Sequence, residues 1–289
     1  MATTTQTSDE LEIVPVVSAE VVEATERAQI SEIVATAKKW PRDTEDCVKR
    51  AIKRATASRE IAEGCHYSIP RDGKYITGPS IRLAKIMCQC WGNCRHTTML
   101  VGNDGSFVKV RAIFYDCESN HLSGEEVGRS IVNKKGVRYS QDMIQTTAAA
   151  AASIALRKAI LNVIPDEYVE AVSKAAKRKI YSSEVPIGER RQKMLDKFAS
   201  RQISKEQVLA SLKYQKLEQI TAEDCDQLAG MFTSIAEGLA SKDELFPPLP
   251  QEPSVPLAPL APEETEARDN LSEAQKRIKA ASEKEKALL

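Results

Sequence analysis

The stretch that decides the fold is residues 106–116, SFVKVRAIFYD, in which two kinds of position alternate. One set of alternate residues is uniformly apolar and consists of Val108, Val110, Ala112 and Phe114. The other set carries the positive charge and consists of Phe107, Lys109, Arg111, Ile113 and Tyr115. Because successive side chains of a strand point to opposite faces of its sheet, the pattern predicts a strand with one face in the core and the other toward solvent or a ligand.

Turn signals on both sides of this strand predict a three-stranded meander. The run TTMLV at 97–101 precedes a turn at 102–105, and a turn at 117–120 leads into HLSGEEVGRSIV at 121–132. Connections this short join antiparallel strands, since parallel strands need a crossover of a dozen or more residues. The sequence therefore favours an antiparallel sheet and not a doubly wound one.

Helical patterns surround the meander. Residues 44–63 and 81–91 have apolar side chains near helical spacing, and 141–164 contains an alanine run and ends at Pro165. Between the first two helices, short extended runs flank a turn at 71–73 and predict a hairpin. The order helix, hairpin, helix, meander, long helix predicts an α+β core.

Charge is unevenly distributed along the 289 residues, although the whole chain is neutral. The net charge is −6 over residues 1–37, +10 over 38–181 and −4 over 182–289. A basic body between acidic ends favours a polyanion-binding core. The alternative is a chance excess of charge on a solvated surface.

The composition predicts four segments. Residues 1–37 are expected to be a flexible acidic segment with a possible short helix at 18–37, and 38–181 a basic α+β core. Residues 182–246 are expected to form a small helical partner-binding domain of three or four helices. Residues 247–289 hold a Pro-rich linker, 247–262, and a charged tail.

The sequence lacks the motifs of several functional classes. Neither Gly-x-x-x-x-Gly-Lys-Ser/Thr nor a strand-linked Gly-x-Gly-x-x-Gly occurs, so ATP is not expected to drive the protein. With three histidines and no Gly-x-Ser-x-Gly, nucleophilic hydrolysis is poorly supported. The chain is expected to be a binding protein and not an enzyme, cytoplasmic, without a membrane partner, and with its seven cysteines reduced.

Two groups of residues are candidates for binding a metal ion. Cys88, Cys90, Cys94 and His96 lie within nine residues, but Cys88 and Cys90 are about 200° apart on the predicted helix, so buried thiols are favoured and no cofactor is expected. A magnesium-dependent nuclease would use carboxylates in or beside the meander. Those carboxylates are Asp104, Asp116, Glu118, Glu125 and Glu126.

Basic residues interleaved with aromatic ones predict a surface for single-stranded DNA. Cations follow phosphates and aromatic rings support bases, which is what sequence-neutral binding requires. The expected binding residues are Lys74, Arg82, Lys109, Arg111, Lys134, Lys135, Arg138, Tyr139, Arg157 and Lys158.

Two further surfaces are expected to make protein contacts. The run Ala148–Ala152 permits the close approach of a backbone, either of the sheet or of a neighbouring subunit. A basic cluster in the helical segment could dock an acidic peptide, with a solvated face balanced by Glu189 and Asp196 as the alternative. That cluster is Arg190, Arg191, Lys193 and Lys197. A third class of function, an adaptor or scaffold that binds no DNA, also stays open.

Three phrases resemble a known group of proteins: YITGPSIRLA at 75–84, WGN at 91–93 and AILNVIP at 159–165. Together with the helical tail, residues 40–240 resemble the single-strand DNA annealing proteins of phages and prophages, the RecT, Redβ and Erf types of recombinase. The resemblance implies ATP-independent rings or filaments that hold single-stranded DNA in a basic groove over the meander and long helix during recombination and repair. It also implies that the C-terminal domain contacts an exonuclease or the host single-strand-binding protein.

Overall fold

The structure is a computed structural model that describes residues 18–71, 74–133, 135–181 and 185–249. It is an α+β fold, 57% helical, with two small antiparallel sheets. The helices are α1 (Ala19–Lys39), α2 (Thr44–Ala55), α3 (Arg59–Glu63), α4 (Ile81–Trp91), α5 (Gln141–Leu161), α6 (Asp166–Tyr181), α7 (Ile187–Ala199), α8 (Lys205–Leu212), α9 (Ala222–Ala236) and α10 (Lys242–Leu245). The strands are β1 (His66–Arg71), β2 (Lys74–Pro79), β3 (Cys94–Asn103), β4 (Phe107–Asp116) and β5 (His121–Ser130).

The predicted meander is confirmed. Strands β3, β4 and β5 form an antiparallel sheet with β4 in the centre, where Ala112 pairs with Thr98 on one side and Glu125 on the other. The apolar face of β4 is buried, as the alternation predicts, with Phe114 and Ala112 fully inaccessible. Helix α5 packs on this face, so the sheet and the long helix form two layers.

The main core lies between the meander and helices α2, α4, α5 and α6. Its interior includes Leu83, Met87 and Ile160, all nearly inaccessible. Helix α4 begins where the Ser80 hydroxyl accepts a hydrogen bond of 3.2 Å from the Leu83 amide. It ends at Gly92, whose φ of +66° lets the chain turn directly into β3.

The structure differs from the predicted helices in two places. The predicted helix at 44–63 is two helices, because the Ser58 hydroxyl accepts from the Ile61 amide and starts α3. The sequence analysis assigned no element to 166–181, where α6 is found. Its buried residues Val169, Val172, Ala176 and Ile180 recur at helical spacing behind Pro165, and that signal could have located it.

The acidic N-terminal segment is helical in its described part. Helix α1 begins after Ser18 and extends to Lys39. Nearly all of its side chains are exposed, whereas Ala37, close to its C-terminal end, is buried. The remainder of this segment, 1–17, lies outside the described residues.

The C-terminal helices pack against the hairpin formed by β1 and β2. Helix α9 crosses β1, where Gly230 approaches so closely that a Cβ there would lie 2.6 Å from the Ser68 Cβ. Helices α7–α10 enclose a second cluster around Phe198, Phe246 and Met231. The helical segment from 185 to 248 therefore belongs to the same compact unit as the core. The predicted Pro-rich linker and charged tail lie outside the described residues from 250 onward.

No single helix within the described ranges is long and apolar enough to cross a membrane. Within these ranges α5 and α6 are long and apolar enough only when taken together, and they meet at a bend of 117°.

Candidate nucleic-acid interface

The face of the meander opposite α5 is accessible, and we call it the open face. The register of the three strands places on it one residue in two from each strand. These residues are Arg95, Thr97 and Met99 on β3, Phe107, Lys109, Arg111, Ile113 and Tyr115 on β4, and Leu122, Gly124, Glu126, Gly128 and Ser130 on β5. The sequence-predicted Lys109 and Arg111 are thus brought together with aromatic side chains on one surface.

The centre of the open face combines cationic side chains with a glycine that has no side chain. Lys109 is exposed and lies opposite Gly128, where even an added Cβ would be 3.8 Å from the lysine side chain. Across the strands Arg111 pairs with Glu126, and both side chains are 48% exposed. An ion pair in this much water contributes little stability, so its arginine can exchange the carboxylate for another anion at small cost.

Aromatic side chains lie at both ends of the central strand. Phe107 is 47% exposed at the start of β4. Near the other end, the Tyr115 hydroxyl donates a 2.6 Å hydrogen bond to the Asn120 side chain, which holds the ring in place. A ring at an exposed sheet position offers a stacking surface to a base of any sequence.

The basic turn after β5 extends from the same end of the sheet as Phe107. The Ile131 amide donates to the Ser106 carbonyl at 2.8 Å, and Val132 pairs with Arg138. Lys135 and Arg138 are exposed on this turn, and Lys134 lies outside the described residues. The side chain of Tyr139 is half-buried against Val108, Ile131 and Ile144, so it supports the turn and presents little of its ring to a ligand.

Other expected DNA-binding residues lie on other elements. Lys74 is exposed on the hairpin, Arg82 on α4 and Lys158 near the end of α5. The Arg82 guanidinium covers Gly64 and lines a cavity of about 610 Å³ between α3, α4, α7 and α9. These three cations are accessible, but they are not part of the open face.

Arg157 is a correction to the predicted site. It is 8% exposed, its guanidinium lies 4.6 Å from the Tyr67 ring centre, and its Nη1 atom is 3.6 Å from a Glu237 carboxylate oxygen. Burial raises the pKa of Glu237, and the arginine opposes that rise. Arg157 therefore joins α5 to the hairpin and to the end of α9 and is not available to a phosphate.

The carboxylates proposed for a nuclease are occupied by hydrogen-bond partners within the chain. Asp116 accepts from Arg42 and from the Trp91 indole nitrogen, the latter at 3.1 Å, and Glu118 accepts from the same arginine at 3.0 Å. Glu125 accepts from Asn162 at 2.8 Å.

Glu126 pairs with Arg111 on the open face, and the fifth nuclease candidate, Asp104, caps its own turn. Asp104 accepts from the amides of Ser106 and Phe107, and these hydrogen bonds lower the pKa of its carboxyl group. Across the described ranges, no group of three or more histidine, cysteine, aspartate or glutamate residues is arranged to hold a metal ion.

The cysteines of the candidate zinc motif point to different neighbours. The Cys88 and Cys94 sulfurs are 3.6 Å apart, whereas the Cys90 sulfur lies 4.0 Å from the Arg54 guanidinium. His96 is exposed on β3. The expected divergence of Cys88 and Cys90 around the helix is therefore confirmed, and all seven cysteines are free thiols.

Two residues of the expected partner-docking cluster have internal roles, which corrects the prediction. Arg190 is buried and donates to Asp226 at 2.8 Å. Arg191 donates to the carbonyl oxygens of Ile220 and Glu218 at 2.8 and 2.6 Å. Arg190 thus joins α7 to α9, Arg191 joins α7 to the segment before α9, and neither guanidinium is free to bind a partner.

The other two cations of that cluster are more accessible. Lys193 is exposed and pairs with Glu189 on its own helix. Lys197 is half-buried and donates to Glu63 on α3 at 2.8 Å. Of the four, Lys193 is the one that an incoming acidic group meets first.

The alanine run of α5 is partly used inside the chain. A Cβ at Gly238 would lie 2.5 Å from the Ala150 Cβ, so the close approach is made by the segment after α9. Ala151 is buried as well, whereas Ala149 is exposed. A contact with a neighbouring subunit is thus open to Ala149 and not to Ala150.

Sequence reasoning missed the open-face residues of the outer strands. Arg95 precedes the run 97–101 that was interpreted as extended, Met99 lies within that run but was assigned to no face, and Glu126 was considered only as a metal ligand. Their alternation with neighbouring residues is a signal for one face, but only the strand register shows that this face is shared with Lys109.

Comparison with family models, curated proteins and solved structures gave no match. The candidate interface therefore rests on the geometry of this chain.

Proposed function

We propose that this protein binds single-stranded DNA on the open face of the meander and anneals complementary strands without ATP, in the recombination and repair of phage DNA in the bacterial cytoplasm. The observation that carries the proposal is the exposed pair Lys109 and Arg111 beside Phe107 on a sheet face opposite the core. Lysine and arginine neutralise phosphates, and an aromatic ring stacks on bases irrespective of sequence.

The chemistry of the open face suits annealing in particular. Contacts to phosphate position a strand but read no sequence. If the cations hold the backbone and the rings support part of each base, the Watson–Crick edges stay free to pair with a second strand. The protein then supplies alignment, and base pairing supplies specificity.

Glu126 and Glu125 provide the sharpest test, since they are neighbours in sequence on opposite faces of β5. Glu126→Gln releases Arg111, so it should tighten DNA binding up to about fivefold, matching the ~1 kcal/mol upper range for an exposed ion pair. It should also steepen the slope of log K against log salt by about 0.7. Fluorescence anisotropy with a labelled oligonucleotide measures both.

Glu125→Gln is the matched control. It makes the same change in net charge but lies on the α5 side, where Glu125 accepts from Asn162. It should leave affinity nearly unchanged. If both variants bind DNA more tightly by the same factor, the effect is one of net charge alone, and the DNA strand lies elsewhere on the protein.

The same binding assay separates the other classes of function. Intact but shifted DNA in the presence of Mg²⁺ supports the annealing proposal, and cleavage supports the nuclease. Absence of binding at low salt supports an adaptor that acts without DNA.

Assembly into a ring or filament is part of the proposal, with the α5–meander layer as the annealing core. Ala149 is the exposed member of the alanine run, so Ala149→Glu would place a charge in a subunit contact there. Smaller particles by light scattering would support the contact, and full-size particles would exclude it at this position.

Partner docking belongs to the helical segment in this proposal. An exonuclease, or the acidic tail of a single-strand-binding protein, would meet Lys193 on α7. Lys193→Glu should then leave annealing of bare strands intact and slow annealing of strands coated with the host single-strand-binding protein. Equal rates on coated strands would remove Lys193 from the docking site.

A further inference from the structure

Cys88 and Cys94 form a close pair of thiols at the junction of α4 and β3. Their sulfur atoms are 3.6 Å apart, and the Cys94 thiol also lies 3.5 Å from the Cys88 carbonyl oxygen. Cys88 belongs to the last turn of the helix, and Cys94 is the first residue of the strand. Cys88 is nearly buried, whereas Cys94 is partly accessible.

The turn that holds the two thiols is anchored on both sides. The Gly92 amide donates to the Cys88 carbonyl, and the Cys117 amide donates to the Asn93 carbonyl at 2.9 Å. The Asn93 side chain donates to Glu118 and to the Trp40 carbonyl. Because the connecting segment is short and fixed, bringing the sulfurs together costs little chain entropy.

We propose that Cys88 and Cys94 are a redox-active dithiol, which a peroxide converts into an intrachain disulfide. A disulfide bond is about 2.05 Å long, so the sulfurs, now 3.6 Å apart, need to approach by roughly 1.5 Å. The proposal rests on the two thiols and does not depend on DNA binding.

The reaction balances with one hydrogen peroxide. The Cys88 thiolate attacks one peroxide oxygen, the O–O bond breaks, and the leaving hydroxide takes a proton to become water. The Cys94 sulfur then attacks the resulting sulfenic sulfur, the S–O bond breaks, and a second water leaves with the Cys94 proton. The hydrogen bond from Cys94 lowers the pKa of Cys88, which favours Cys88 as the attacking thiolate.

The test is thiol counting on the full-length protein after treatment with one equivalent of hydrogen peroxide under native conditions. Seven thiols should fall to five, and the peptides carrying Cys88 and Cys94 should be recovered as one species about 2 Da lighter than the reduced pair. Reduction with dithiothreitol should restore all seven. Retention of seven thiols, or a disulfide that joins any other two cysteines, would overturn the proposal.

Cys88→Ser and Cys90→Ser form a matched pair, since both residues lie on α4, but the Cys88 sulfur lies beside the Cys94 sulfur and the Cys90 sulfur beside the Arg54 guanidinium. Cys90→Ser should still lose two thiols on oxidation. Cys88→Ser removes the attacking thiolate, so it should form no disulfide and should keep all six of its thiols. A disulfide in Cys88→Ser, or none in Cys90→Ser, would contradict the assignment even if both variants fold normally by circular dichroism.

Discussion

The hydroxyl of Ser234 donates a hydrogen bond of 2.7 Å to the carbonyl oxygen of Ser68, and the Ser68 amide donates back to the same hydroxyl at 3.2 Å. Both residues are buried, and they lie 166 positions apart in the chain. The contact joins α9 to the first strand of the hairpin. Since a buried amide and carbonyl need partners, the C-terminal helices complete the structure of the hairpin.

Ser234→Ala tests this relationship. The change leaves the Ser68 amide and carbonyl without these partners in a buried contact, so the free energy of unfolding should fall by about 1–3 kcal/mol. Urea unfolding measures the loss. Ser200→Ala is the control, because Ser200 is exposed and its hydroxyl donates only to Lys197 in the preceding turn. A loss for Ser234→Ala no larger than that of the control would show that the contact contributes little.

Gly230→Ala and Gly188→Ala should change stability in opposite directions. At Gly230 a methyl group would lie 2.6 Å from the Ser68 Cβ and 3.0 Å from its nitrogen, so overpacking should cost about 1–3 kcal/mol. At Gly188, on α7, nothing lies within 4 Å, so alanine should stabilise by up to about 1 kcal/mol through its helix propensity. Thermal unfolding of the two variants compares them, and destabilisation by both would contradict the packing argument.

The pH dependence of stability should reveal two buried groups that act in opposite directions. Burial raises the pKa of Asp226 to about 6, against the opposing charges of Arg190 and Arg59. Burial, aided by the charge of Lys177, lowers the pKa of His66 to about 4. As pH falls from about 6.5 to 4, the folded state gains stability by protonating Asp226 and loses stability because the unfolded state protonates His66.

Asp226→Asn should reveal the contribution of His66 to the pH dependence of stability. The free energy of unfolding of the variant, relative to wild type, should fall by up to about 1.4 kcal/mol per pH unit as pH falls through 6 toward 4. His66→Gln should show the opposite trend relative to wild type. Parallel stability curves for wild type and both variants between pH 7 and 4 would contradict the assignment.

Lys109→Ala and Arg157→Ala should separate DNA binding from stability. Lys109 is exposed on the open face, so its removal should weaken binding of all sequences and flatten the salt slope by about 0.7 without changing the free energy of unfolding. Arg157→Ala should cost ~2 kcal/mol or more, because it leaves Glu237 buried without its cation. If the slope of log K against log salt also flattens for Arg157→Ala, measured well below the melting temperature of that variant, Arg157 is a DNA-binding residue.

The sequence by itself determined the meander and the burial of one face of its central strand. In residues 107–114 one set of alternate positions is uniformly apolar and the other carries Lys109 and Arg111, and a period of two leaves only one way to place the apolar set in a core. The caps at Ser80 and Ser140 set the starts of α4 and α5 by the same kind of local rule. Such features depend on neighbours within a few residues, which a sequence displays directly.

Only the tertiary structure decided which cations are available to a ligand. Arg157 and Lys158 are adjacent in the sequence, yet one is buried and the other exposed. The partners that bury Arg157 are Tyr67 and Glu237, which lie far from it in the chain in both directions. The rotation of a helix about its own axis follows from the elements packed against it, and no local pattern records those elements.

The same reason explains the open face. Glu125 and Glu126 are adjacent residues of the same type, and from the sequence both were candidate metal ligands. The register of β5 against β4 sends Glu126 to Arg111 on the open face and Glu125 to Asn162 on the opposite side. Strand alternation predicts that the two side chains diverge, but the partner of each depends on where α5 and β4 lie, and this is decided by long-range packing.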